Sequence, residues 1–313
     1  MSSSTGPYVK MRYERVTDVK HPVSKIVMGT LGGQEIDHAG TLYDTYAEQG
    51  GNTFDTAHHY GKAEAVFGEW MNRRGVRSNT VVITKGAHTP NCNPETLTTE
   101  FNQSLDLLQT DFIDIYFLHR DNPEIPVGEF VDVLNEHKRE GRLGVFGGSN
   151  WSLARMDEAN EYAAKNSLAG FTVLSNHMSL ARMVESPWPG CLASSDVESR
   201  NWLAERNMPL FPWSSQARGF FADGRAHPDD HSDPDLVRSW YSDDNFERLA
   251  RVREMASRKN VAAITIALAY VLNQPNPTFP LVGPLSADET RSSMAALDVE
   301  MASADLAWLN LDG

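Results

Sequence analysis

Cysteine is almost absent from this chain, with only Cys92 and Cys191 far apart in loop-like sequence. Neither stands in a CxxC or Cys/His spacing, so a disulfide framework and a cysteine zinc site are both excluded, and reduced thiols are expected. Long hydrophobic runs are missing too. The most apolar stretch, Ala262 to Leu272, contains Thr265 and falls far short of the roughly 18 to 20 residues that cross a bilayer. Positive charge is also in short supply. Lys and Arg number 28 against 42 Asp and Glu, a formal charge of −14, which argues against nucleic acid or an anionic membrane as the main partner. The opening Met1 to Pro7 has neither a basic nor an apolar signal region, so the expected compartment is the cytosol.

What is present is ordinary globular usage: 41% hydrophobic, 22% charged, 22 Gly and 16 Pro in 313 residues. Short runs rich in Val, Ile, Phe and Leu alternate with helix-length segments, the pattern of a parallel sheet with crossover helices. Candidate strands are Ser24 to Thr30, Thr53 to Thr56, Val81 to Lys85, Phe112 to His119, Gly144 to Gly148, Phe171 to Asn176, Pro209 to Trp213 and Thr278 to Gly283. Helices are predicted over Thr41 to Gly50, Glu64 to Arg74, Thr96 to Leu108, Val127 to Glu140, Leu153 to Asn166, Ser195 to Arg206 and Asn245 to Asn273. In the fourth, Phe130, Val131, Val133 and Leu134 share one face and Gly141 ends the helix. Eight strand–helix units fit one closed (β/α)8 barrel, an α/β fold, and a single domain over residues 1–313. Two connections, His177 to Ser194 after the sixth strand and Ser214 to Asp244 after the seventh, are unusually long, as functional loops tend to be.

Reactive groups in such a barrel belong at the C-terminal strand ends. Asp55, Lys85 and His119 end the second, third and fourth strands, Ser149 and Asn150 follow the fifth, and Tyr60 lies just past Asp55. A tyrosine ionises near pH 10, and a neighbouring ammonium lowers that value. Lys85 is the candidate for that charge, Asp55 would hold it, and His119 would orient a carbonyl. Each residue also has a plain reading: a solvated lysine, a satisfied core histidine, an Asx turn at Asp55, a packed tyrosine. His58 and His59 point apart in extended chain and make a poor metal site. A Schiff-base lysine at position 85 is disfavoured, because that chemistry needs a lowered pKa and Asp55 would raise it.

Taken in order, Gly51-Asn-Thr-Phe-Asp-Thr-Ala-His-His-Tyr-Gly61, Val82-Ile-Thr-Lys85, Asp114-Ile-Tyr-Phe-Leu-His119 and Gly147-Gly-Ser-Asn150 resemble the motifs of the aldo-keto reductase superfamily. The likeness extends from an N-terminal β-hairpin and first strand, Tyr13 to Thr30 with Gly29, to an eighth strand ending at Gly283. It implies that Tyr60 is a general acid tuned by Lys85 and Asp55, that His119 orients the substrate, and that a nicotinamide supplies hydride. It also implies that Gly29, Thr30, Ser149, Asn150 and Asn176 contact the cofactor, with Asn176 standing where the family has Gln. Trp213 would stack on the ring, and Ser214, Ser215, Gln216 and Arg218 would cover the pyrophosphate. Gly283, Leu285, Ser286, Glu289 and Arg291 align with the adenosine end. Family members that prefer NADP(H) place Lys or Arg where Leu285 and Ser286 stand. NADP(H) is therefore the family default, with NAD(H) or dual use the alternative. Aromatic candidates for the substrate wall are Trp151, Phe220 and Phe221, with Trp188 and Tyr241, and Met28, Asn91 and Arg120 are further candidates. The implied partner is a small carbonyl or alcohol, with no nucleic acid and no membrane insertion, in a monomer or homo-oligomer. A second class of function, a cofactor-binding redox-sensing subunit of a channel, shares the fold.

Overall fold

The computed structural model describes residues 10–312, so the opening Met1 to Pro7 lies outside the described residues. A short antiparallel hairpin, β1 (Tyr13–Glu14) and β2 (Val23–Ser24), comes first, pairing Tyr13 with Ser24. Its valines, Val16, Val19 and Val23, pack with Val27 and Val81 and plug the N-terminal end of the barrel. Then follow β3 (Val27–Gly29), β4 (Thr53–Asp55), β5 (Val81–Gly86), β6 (Ile113–Leu118), β7 (Leu143–Ser149), β8 (Val173–Ser175) and β9 (Leu281–Val282). All pair in parallel, in the order β8-β7-β6-β5-β4-β3-β9.

The seventh strand of the sequence reading closes the circle with single contacts. Leu210 bridges Leu174 on one side and Thr278 on the other. Pro209, Pro212, Pro277 and Pro280 offer carbonyls to this seam but have no N–H to donate, so a continuous ladder cannot form there. The molecule is a (β/α)8 barrel whose closure is held by intermittent hydrogen bonds.

Side chains alternate across each strand. Val27, Val81, Ile83, Ile115, Phe117, Val145, Val173, Phe211, Phe279 and Leu281 fill the barrel interior. Tyr116, Leu118, Phe146 and Leu174 face outward, toward the helices.

The helices are α1 (Ile36–Glu48), α2 (Ala63–Arg74), α3 (Pro94–Leu108), α4 (Val127–Arg139), α5 (Leu153–Lys165), α6 (Val197–Glu205), α7 (Pro234–Trp240), α8 (Asp243–Lys259), α9 (Ala263–Leu272), α10 (Ala287–Met294) and α11 (Ser303–Asn310). The α4 face built from Val127, Phe130, Val131 and Leu134 is buried, and Gly141 (φ 73°) follows its end. Two expectations are corrected. The single helix over Asn245 to Asn273 is two, because Asn260 adopts a left-handed C-cap (φ 55°) and Ala262 is extended. The long connection after the seventh strand contains α7, started by Asp233, whose carboxylate accepts from the backbone N–H groups of Asp235 and Leu236. No helix among the described residues is long and apolar enough to cross a membrane.

Candidate active site

The interior phase of each strand carries through to its C-terminal end. In β5 it runs Val81, Ile83, Lys85; in β6 it continues from Ile115 and Phe117 to His119; in β4 it ends on Asp55. The same alternation delivers Ser149 from β7 and Ser175 from β8. Parallel register then sets them side by side, with Asp55 opposite Ile83 and Lys85 opposite Phe117.

Lys85 is buried and donates to Asp55 Oδ2 at 2.6 Å and to the Thr56 carbonyl at 2.8 Å. Its Nζ stands 5.1 Å from the centroid of the Tyr60 ring. That ring meets His119 edge to face, with centroids 5.6 Å apart. His119 in turn packs against His88 at 4.8 Å, and His88 stacks on His59 at 4.1 Å. His58 turns the other way, to Gln103 Oε1 at 2.9 Å.

Burial and charge oppose each other at every member of this group. Burial pushes Tyr60 above its ordinary value, and Lys85, pulling it down, recovers only part of that rise. The net direction is upward, opposite to the lowered phenol expected from the sequence, so Tyr60 is a protonated donor at neutral pH. Burial would lower Lys85, but Asp55 and Tyr60 outweigh it and keep the ammonium charged. Burial likewise pushes Asp55 up while the ammonium beside it pulls back, and at 2.6 Å the two hold opposite charges. His119 is driven well below its usual value by burial and by Lys85 and Arg120, which makes it a neutral imidazole. The arrangement is one proton donor, one fixed cation and one neutral hydrogen-bonding ring around a common space.

Trp213 lies half-buried at the edge of that space, its Nε1 donating to Asn150 Oδ1 at 3.1 Å. Asn150 Oδ1 also accepts from the Leu192 N–H, and Ser149 Oγ donates to the Ser175 carbonyl at 3.0 Å. Asn150, Ser214 and Arg218 all have left-handed backbone, with φ of 60°, 49° and 53°. Such conformations in residues other than glycine cluster where a site dictates the backbone.

The description "Aldo/keto reductase family" belongs to the family model that matches residues 25–310, nearly the whole barrel. The chain belongs to the aldo/keto reductase family. Curated relatives cover most of it at low identity. An aryl-alcohol dehydrogenase of Pestalotiopsis microspora is 27% identical over 89% of this chain and 73% of its own length. Norsolorinic acid reductase of Aspergillus flavus is 26% identical over 89% and 72%. Versiconal hemiacetal acetate reductase of Aspergillus parasiticus is 25% identical over 96% of each chain. This aldo/keto reductase chain is thus an oxidoreductase of a family that acts on carbonyl compounds with nicotinamide cofactors.

Within that frame several positions move from their expected roles. Trp151 is fully buried against Phe171 and Phe130, outside the interior of the barrel, so it is core and no substrate wall. Phe220 and Phe221 are likewise fully buried, packed on each other, with Phe220 also against Tyr241 and Phe246, and anchor the loop after the seventh strand. Asn176 lies one residue beyond the interior phase of β8, on the outward side with Leu174. Its side chain is spent on the backbone of Trp151, accepting from N at 3.1 Å and donating to O at 2.9 Å, and on Ser194. Ser175 holds the inward position instead, its hydroxyl donating to the Phe211 carbonyl at 2.9 Å. Strict alternation from Val173 would have found it. His177, missed entirely, is buried between Trp213 and Trp240, and burial drives its imidazole down to about 3.

The remaining cofactor candidates sit along the rim. Gly29 lies against the Val282 carbonyl, where a Cβ would stand 3.1 Å away, and Thr30 is buried with an unpartnered Oγ1. Ser215 is tied to the Leu281 carbonyl at 2.7 Å, Gln216 is half-buried, and Arg218 is exposed, 3.8 Å from Asp235. Gly283, Leu285, Ser286, Glu289 and Arg291 surround the N-terminus of α10. There Ser286 Oγ accepts from the Glu289 N–H at 3.2 Å, and Glu289 Oε2 accepts from the Leu285 N–H at 2.8 Å. Arg291 is paired with Asp288 at 2.9 Å.

Proposed function

We propose that this protein, working as one barrel domain over residues 1–313, reduces aldehydes or ketones to alcohols, with Tyr60 delivering the proton to the carbonyl oxygen. The observation that carries this reading is the buried Lys85–Asp55 pair beside a protonated Tyr60 and a neutral His119. The carbonyl oxygen sits between the Tyr60 hydroxyl and the His119 ring. As it gains electron density, His119 donates a hydrogen bond and Tyr60 gives up its proton. The phenolate left behind is stabilised by the Lys85 ammonium, which Asp55 holds in place, and solvent then restores the proton.

A nicotinamide, when bound, supplies the hydride to the carbonyl carbon. Residues fit for it are Trp213 for the ring, Ser149, Asn150 and Ser175 for the carboxamide side, Gly29 and Thr30 at the first strand, and Ser214, Ser215, Gln216 and Arg218 above. Asn176, committed to Trp151 and Ser194, is not among them. The half-exposed Trp213 and the unpartnered Thr30 hydroxyl are the observations that favour this fit.

At the adenosine end NADP(H) remains the family default, but this chain's own residues suit NAD(H) better. A 2′-phosphate needs charge-assisted donors. Here the Glu289 carboxylate already occupies the N-terminus of α10, the Leu285 side chain is exposed, and Arg291 is engaged with Asp288. The names of the relatives make aromatic aldehydes and ketones the first substrates to try, with sugar-like carbonyls next. Two unpaired thiols suit a reducing compartment, the cytosol.

The test is Tyr60→Phe in an assay of aromatic aldehyde reduction, alongside fluorescence titrations with NADH and NADPH. The variant should bind cofactor as the parent does and lose about 10²- to 10⁴-fold in kcat. Turnover at the parental rate would remove Tyr60 as the acid. Failure of both cofactors to bind would turn the search to the redox-sensing class and to protein partners.

A further inference from the structure

One buried charge at the mouth of the barrel is left without a counter-ion. Arg120, 7% exposed, donates to the His119 carbonyl at 2.8 Å and to the Cys191 sulfur at 3.4 Å. Its Nε has no hydrogen-bond partner. A guanidinium carries five N–H donors, so most of this one's capacity is unused. Among the described residues no carboxylate lies within ion-pair distance of it. The acid next to it, Asp121, is bound by Arg155 at 3.2 Å, which also holds Glu158 at 2.9 Å. Burying a cation without a partner is costly, and a ligand that supplies the missing anion removes that cost.

The surroundings leave room for such a ligand. Arg120 stands in the wall of a cavity of about 270 Å³ with Thr89, Asn150, Ser152, Gly190 and Asp121, whose carboxylate is engaged by Arg155. Two of its lining residues are tied to the site: Asn150 accepts from Trp213 Nε1, and Arg120 donates to the His119 carbonyl. Gly190 has φ 73°, and a Cβ there would lie 3.6 Å from Cδ and 3.7 Å from Nε of Arg120. Any side chain at this position would cover the stem of the guanidinium, and glycine leaves it bare. The charge of Arg120 is also felt at Tyr60 and His119. In a chain whose net charge is −14, capture of an anion has to be local.

We propose that Arg120 recognises a carboxylate on the substrate, and that the preferred substrates are oxo compounds carrying a carboxylate group a few bonds from the reacting carbonyl. The planar guanidinium matches a carboxylate through paired hydrogen bonds, which a neutral group of the same shape cannot reproduce. This rests on the carbonyl-reductase reading above and adds its specificity.

The experiment compares 4-carboxybenzaldehyde with 4-formylbenzamide, which differ in charge and little in size, using whichever of NADH and NADPH supports turnover. The unaltered protein should favour the carboxylate by about 10- to 100-fold in kcat/KM, expressed mainly in KM. Arg120→Gln should collapse that ratio toward one, and Arg120→Lys should retain part of it. Should the variants not fold, benzoate should still inhibit reduction of 4-formylbenzamide by the unaltered protein far more strongly than benzamide does. A ratio near one in the unaltered protein, or a ratio preserved in Arg120→Gln, overturns the assignment and leaves Arg120 as a brace for the Cys191 loop. Reduction of neither aldehyde with either cofactor overturns the carbonyl-reductase reading itself, and this inference with it.

Discussion

Two arcs of the same barrel are built differently. From β5 to β7 the strands run six or seven residues, with unbroken parallel register. From β8 through Leu210 and Thr278 to β9 they shrink to two or three residues or to single bridges, punctuated by four prolines. The stiff arc supplies Lys85, His119 and Ser149, groups that must hold position to a few tenths of an ångström. The loose arc supplies Trp213, the Ser214 to Arg218 loop and the α10 rim, the parts proposed to hold the cofactor. Of the proton-handling residues, Lys85 and His119 thus stand on or at the end of long strands, while Asp55 and Tyr60 come from the three-residue β4 and the turn after it.

The largest effect that tests this division is expected from Lys85→Met. It removes the cation proposed to stabilise the phenolate and leaves Asp55 buried without a partner, so kcat should fall by about 10²-fold or more and stability by about 3–5 kcal/mol. Steady-state kinetics with thermal unfolding on the same sample checks both. A rate near the parental value would detach Lys85 from the chemistry.

Gly147→Ala probes the seam where the stiff arc meets the loose one. A Cβ at Gly147 would stand 1.7 Å from the Val173 carbonyl oxygen, in the backbone of the neighbouring strand. The β7–β8 pairing must part, at a cost of more than about 3 kcal/mol, read by denaturant unfolding. If the variant were as stable as the parent, the β7–β8 seam would be more yielding than its register suggests.

Acid should act more gently. His177, fixed near 3 by burial, binds fewer protons folded than unfolded, where imidazole titrates near 6.5. The unfolded chain therefore binds more protons between those values, and stability falls as pH drops through 6.5 toward 3. At pH 5 this amounts to about 2 kcal/mol for that residue, and His119 adds in the same direction. His177→Phe, measured by unfolding at pH 5 and 7.5, should show a smaller pH difference than the parent.

The sequence made the stiff arc readable and the loose arc only partly so. Val81 to Lys85 and Phe112 to His119 fall within a residue or two of β5 and β6, because runs dense in β-branched and aromatic residues have one good reading. Asp55, Lys85 and His119 followed, since alternation puts strand-end residues inside. Pro209 to Trp213 had the right hydrophobicity but proline cannot sustain its ladder, and α7 was hidden by the Asp and Pro that cap it. Asn176 is misplaced because resemblance by residue type overrides the two-residue period, which points it outward and leaves Ser175 facing in; Trp151 lies past the end of β7, where the left-handed Asn150 breaks that period and turns the indole into the core.

The four prolines of the closing seam also bear on the unfinished chain. Before closure the barrel is an open sheet, and its last strands are the ones another molecule could pair with. Pro209, Pro212, Pro277 and Pro280 each remove one donor from these last strands. The half-made protein therefore presents a poor template for sheet growth, and the gaps that weaken its final ring also guard it against aggregation on the way there.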